Sequence, residues 1–155
     1  MFLKYVLVFL VSMVPIIELR GAIPIAVGMG LDTKVSFILA IIGNMIPVPF
    51  IYLFARKFLD FGKTKKIIGP FCRFCLDKGT KAGAKLEKNM GKGLFVALLL
   101  FVGIPLPGTG AWTGTFAASM LNFKFKDTII AVLSGVLLAG IIMISLSLLG
   151  FNTFG

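Results

Sequence analysis

GIPLPGTGAWTGTFAASML, residues 103–121, is the stretch on which the rest of the chain turns. An apolar run, Leu94–Val102, leads into it, which places it at membrane depth. Its composition is nevertheless that of a loop. Pro105 and Pro107 stand two apart, and Gly108, Gly110 and Gly114 follow. Proline removes a backbone donor and glycine weakens a helix interior, so the sequence argues against a continuous helix here. Backbone that leaves helical geometry inside a bilayer survives only where protein or a water-filled cavity satisfies its polar groups. Breaks of this kind mark substrate sites in transporters. A second interruption, Pro15–Gly30 (PIIELRGAIPIAVGMG), carries Glu18 and Arg20. Each half of the chain thus holds one broken hydrophobic segment.

Composition sets the class. The chain has 155 residues, of which 58% are hydrophobic, with a mean hydropathy of +1.03. It reads as one all-α integral membrane domain. Two continuous apolar segments are long enough to cross, 35–55 and 128–149, since roughly 20 helical residues span a ~30 Å hydrocarbon core. The N-terminal apolar run is not read as a cleavable signal, because Glu18 and Arg20 follow it without a small-residue cleavage site.

The two motifs IIELRGAIP (residues 16–24) and PLPGTGAWTG (residues 105–114) together resemble the small multidrug export protein family, itself similar to the broader DedA-type group of membrane transporters. The resemblance covers residues 6–149. It implies two re-entrant helical hairpins that enter from opposite membrane faces and meet near the midplane. For DedA-type relatives it further implies transport of a polyprenyl phosphate or similar lipid, with proton coupling. There is one departure. DedA-type proteins carry arginine in the second hairpin just after a Pro-Gly, where this chain has Gly110.

In chain order, residues 5–31 read as the first hairpin. Each apolar leg is about 12 residues, reaching only ~18 Å at helical rise, so two legs with a break fit a segment that enters and leaves on one side. A single kinked span over 5–30 is the alternative. Asn44 stands inside 35–55 beside Gly43, Pro47 and Pro49, either binding a neighbouring helix or lining a cavity. Residues 93–121 form the second hairpin, followed by the span 128–149. At an offset of 90, Pro15 falls on Pro105, Leu31 on Leu121 and Lys34 on Lys124. An odd number of crossings per half makes the halves inverted repeats, each a re-entrant hairpin followed by a transmembrane helix.

The loop 56–92 holds 11 of the 16 basic residues, which assigns it to the cytoplasm of an inner-membrane protein with both termini outside. Lys78, Lys81, Lys85, Lys88 and Lys92 fall on one helical face opposite Ala82, Leu86 and Met90. One or two amphipathic helices lying against anionic lipid headgroups fit this pattern, and a solvated basic loop is the plainer reading. Nucleic acid is not expected, since the loop's aromatics sit among apolar residues. Nor is a metal or other cofactor: the chain has no histidine, and Cys72 and Cys75 alone cannot complete a zinc site. A homo-oligomer, most simply a dimer, is expected, because so short a chain has little protein to enclose broken backbone.

Glu18 and Arg20 are the only ionisable residues within the breaks, and charge at that depth is a functional hypothesis. On a regular helix they would point about 200° apart; unwound, they would converge. Glu18 is the candidate proton carrier and Arg20 the candidate anion grip, with a mutual ion pair as the structural alternative. Pro24, Pro105, Pro107, Gly108, Thr109, Gly110, Trp112 and Thr113 complete the candidate site with Asn44. The expected function is a transporter or flippase of a lipid phosphate or similar amphipathic anion. The alternatives are a proton-coupled exporter of hydrophobic cations and a non-transporting scaffold. An enzyme is not expected, as the breaks hold neither histidine nor paired carboxylates.

Overall fold

The computed structural model describes residues 1–67, 69, 70, 73, 74, 77 and 92–154, the last four by backbone alone. Its elements are α1 (Phe2–Met13), α2 (Glu18–Gly28), α3 (Thr33–Met45), α4 (Pro47–Gly62), α5 (Lys92–Gly103), α6 (Ala111–Met120) and α7 (Phe125–Phe154). Among the described residues there is no strand. The Cys72–Cys75 pair and most of the amphipathic stripe expected over 78–92 lie outside the described residues; Lys92 opens α5.

Local chemistry sets the helix ends. Pro15 forces the residue before it out of helical geometry, and Val14 is extended at ψ 130°. α2 ends in a paired cap in which Gly30, at φ 66°, turns the chain while Leu31 N–H donates to Ala26 O at 3.0 Å. Asp32 then opens α3, its Oδ1 accepting Val35 N–H at 2.9 Å. The same cap recurs 92 residues later: Asn122 has φ 63°, and Phe123 N–H donates to Ala118 O at 3.0 Å. Each half therefore runs short helix, break, short helix, left-handed cap, long helix.

Two helical stretches, Thr33–Gly62 and Phe125–Gly150, are long and apolar enough to cross a membrane. Only 28% and 33% of their apolar windows are buried inside the protein, unlike core helices of a soluble fold. Large side chains such as Phe50, Leu53 and Leu149 face outward, matching hydrocarbon rather than water. The core is built largely from small residues that let helices approach. Gly43 lies directly against Ser12 on α1, and its counterpart Gly135 against Leu99 on α5. α2 packs on α7 and α6 packs on α4, so each post-break helix rests on the other half's long helix.

Several boundaries differ from the sequence reading. The first span runs from 33 to 62 with a kink at Ile46–Pro47, because Pro47 and Pro49 sit in the first turn of α4, where a missing N–H costs little. The basic segment therefore begins beyond Gly62, and Arg56 and Lys57 are helical. The first break shrinks to residues 14–17, and Pro24 lies within α2. The spacing of 90 holds for the first legs, where Met13 corresponds to Gly103; after the breaks it is 92, so Leu31 matches Phe123 and not Leu121.

Candidate functional site

The two breaks meet. α2 begins at Glu18, whose own backbone has φ 51°, shortly after Ile16 at φ 77°. Positive φ is rare for a residue with a side chain and rarer for a β-branched one, so the first break is strained. That geometry turns the Glu18 carboxylate onto the start of α6. Oε2 accepts Ala111 N–H at 3.2 Å and Oε1 accepts Trp112 N–H at 3.1 Å. Glu18 is only 4% exposed. A negative group at the amino end of a helix meets both unpaired N–H donors and the favourable end of the helix dipole.

Arg20 does the complementary thing. Its Nη2 donates to Val102 O at 3.0 Å and Ile104 O at 3.2 Å, at the carboxyl end of α5. Its Nη1 donates to Leu106 O and Thr109 O, both at 2.6 Å. Thr109 tightens the same loop through Oγ1, which donates to Ile104 O and Leu106 O at 2.9 Å. A cation thus closes the helix that ends, and an anion opens the helix that begins. The 104–110 break is held open by two charges from the other half.

No ion pair joins Glu18 to Arg20; among the described residues the ion pair is Lys63–Asp60, at 2.8 Å on the surface. This corrects the mutual-pair alternative. It also corrects the expectation that unwinding would bring the two charges together. They lie on a helix, diverge, and each reaches backbone.

Gly110 leaves room for the Glu18 carboxylate. A Cβ there would fall 2.7 Å from Glu18 Oε1 and closer still to Oε2, and its φ of 151° is one that side chains rarely adopt. The space an arginine would need is filled by the carboxylate.

Around this clasp lies a cavity of about 930 Å³. Glu18, Arg20, Pro105, Pro107, Gly108, Thr109, Trp112 and Thr113 all border it. Pro24 and Asn44 do not: Pro24 sits mid-helix, and Asn44 is buried at the end of α3. The sequence reading missed the apolar wall, made by Ile51, Phe54, Ala55 and Phe58 of α4 with Phe116, Met143, Pro15, Ile16 and Leu106. The i, i+4 spacing of Phe54 and Phe58 was a readable signal, hidden by assigning Phe58 to a loop. Trp112 Nε1 is a buried donor with no partner.

A family model described as "Putative small multi-drug export protein" matches residues 18–142. The chain belongs to this family. No curated protein and no solved structure matches it.

Proposed function

We propose that this export-family member carries small, mostly apolar molecules across the membrane through the cavity between its two breaks. The observation that carries the reading is the composition of that cavity: both interrupted segments border it, and aromatic and aliphatic side chains of α4 and α6 face them across an apolar wall. Volumes of several hundred cubic ångströms suit drug-sized ligands. A lipid phosphate has less support. The two terminal nitrogens of Arg20, which would match a phosphate, are committed to four carbonyls. Proton carriage by Glu18 meets a similar objection, because each of its oxygens already accepts a backbone N–H.

The inverted arrangement of the halves belongs to this proposal. Tyr5 Oη accepts Asp32 N–H, so α1 and α3 start at one end. Tyr52 Oη donates to Phe123 O, which sets the second cap beside α4. From Thr33 to Tyr52 a helix advances roughly 29 Å, which supports caps at opposite membrane faces. The end that gathers Arg56, Lys57, Lys63, Lys65, Lys124 and Lys126 is then the cytoplasmic one.

Trp112 is the only tryptophan and borders the cavity, so its fluorescence reports occupancy. In lipid nanodiscs, a neutral brominated alkyl probe should quench it saturably. Ala55→Phe, which adds bulk to the wall, should abolish the saturable component. Quenching that rises linearly with probe and ignores the substitution would refute the proposal.

A further inference from the structure

The carboxyl end of α5 is closed by Arg20, whereas the corresponding end of α1 has only a single backbone turn. Val14 N–H turns back to Val11 O at 3.1 Å, and Pro15 has no N–H to offer. Among the described residues no donor meets the carbonyl oxygens of Ser12 or Met13. Ser12 is fully buried. Buried carbonyls without a partner are rare and call for an explanation.

Two further observations indicate what is wanted there. By the 90-residue spacing of the first legs, Ser12 corresponds to Val102, whose carbonyl receives the Arg20 guanidinium at 3.0 Å. The equivalent place in the second half is thus held by a positive charge. Beside it, Gly43 packs on Ser12, and the next residue, Asn44, is 2% exposed with Oδ1 unpartnered. Two buried oxygens without donors thus lie on helices that pack together, one at the negative end of the α1 dipole and the other one residue beyond the Gly43–Ser12 contact.

We infer that the carboxyl end of α1, together with Asn44, binds a monovalent cation. The donors are oxygens, which suit an alkali ion or a primary ammonium group. The ion is either free in solution or the head of a molecule whose body lies in the cavity, which Pro15 and Ile16 border. Only the second source rests on the export reading above.

The test is thermal unfolding in nanodiscs of neutral lipid, in N-methylglucamine chloride, with NaCl, KCl or hexylammonium chloride exchanged in at constant ionic strength. A ligand that binds the folded state raises the midpoint by mass action. At least one of the three cations should do so saturably. A response to Na⁺ or K⁺ identifies a free ion, and a response to hexylammonium alone identifies an ammonium head. Asn44→Leu should shift the response to at least about tenfold higher concentration while leaving the cation-free midpoint no lower, since it removes an orphaned acceptor. Asn44→Asp should shift the response to lower concentration, which keeps the test open if the leucine variant fails to fold. No saturable response in the wild type, or identical responses in wild type and the Asn44→Asp variant, overturns the inference. Trp112 quenching by the neutral probe is read on the same samples. Quenching without a cation response leaves the cavity standing and sinks the cation site; a cation response without quenching does the reverse.

Discussion

Replacing Glu18 and Arg20 by glutamine, singly and together, separates two arrangements that differ only in where each charge finds its partner. Were they paired with each other, either single change would strand a buried charge and the double change would restore stability. The geometry here requires a different result. Glu18→Gln keeps one acceptor for the α6 amides and turns an NH₂ group toward the other, orphaning a donor at a cost of about 2 kcal/mol. Arg20→Gln removes four bonds to the carbonyls of residues 102, 104, 106 and 109. Arg20 is only partly buried, so its loss falls near the low end of the range for a broken buried charge, about 3 kcal/mol.

Because each charge holds its own backbone groups, the two losses should add to about 5 kcal/mol, apart from a coupling through the break they share. That is a large part of a typical stability of about 5–15 kcal/mol. Equilibrium unfolding in mixed micelles, followed by helical circular dichroism, measures all four corners of the cycle. A double variant more stable than Arg20→Gln would refute the reasoning, since it would mean that the charges answer to one another.

Gly110→Ala should destabilise by about 2–4 kcal/mol, because its Cβ displaces the Glu18 carboxylate; adding Glu18→Ala should recover part of that loss, and the same unfolding assay reads both. Cysteines placed singly at Lys34, Lys124 and Gly155, in a background of Cys72→Ser and Cys75→Ser, should label from outside at 34 and 155 and from inside at 124 with an impermeant maleimide. Equal access at 34 and 124 would count against inverted halves. The mass of the detergent-solubilised protein should correspond to two copies, checked by light scattering with the detergent contribution subtracted; a single copy that retains transport after reconstitution would speak against the dimer.

The two breaks and their charged residues were legible because the signals are local. Proline and glycine disfavour helix wherever they stand, and an ionisable residue in an apolar run is conspicuous. Membership of the export family was legible for the same reason, through two short motifs. What failed was anything that depends on a partner remote in sequence. Pro24 looks like a helix breaker, yet it is accommodated in α2, which packs on both α3 and α7. Glu18 and Arg20, two residues apart, look like partners for one another. Their true partners lie 82 to 94 residues away and are backbone groups, which leave no trace in residue identity. Gly110 alone carried a usable hint. A glycine inside the break leaves volume for another group, and the buried charge that fills it is the Glu18 carboxylate, which the sequence reading had assigned to proton carriage.

Backbone capping by charge, instead of pairing of charge with charge, also accounts for how this fold tolerates an interruption between apolar helices. An isolated break leaves several N–H and C=O groups without partners, each costly in hydrocarbon. In the second half, one carboxylate and one guanidinium satisfy both ends of the interruption and hold the breaks together. The first half has no such pair: by the 92-residue spacing, Glu18 corresponds to Gly110 and Arg20 to Trp112, which bring no charge to the first break. The asymmetry leaves strain at Ile16 and Glu18, open carbonyls at the end of α1, and an unpartnered indole at Trp112. A transporter needs one part of its site to be fixed and another to respond to what binds. On the proposed transport reading, the charge-capped second break is the fixed part and the strained first break the responsive one.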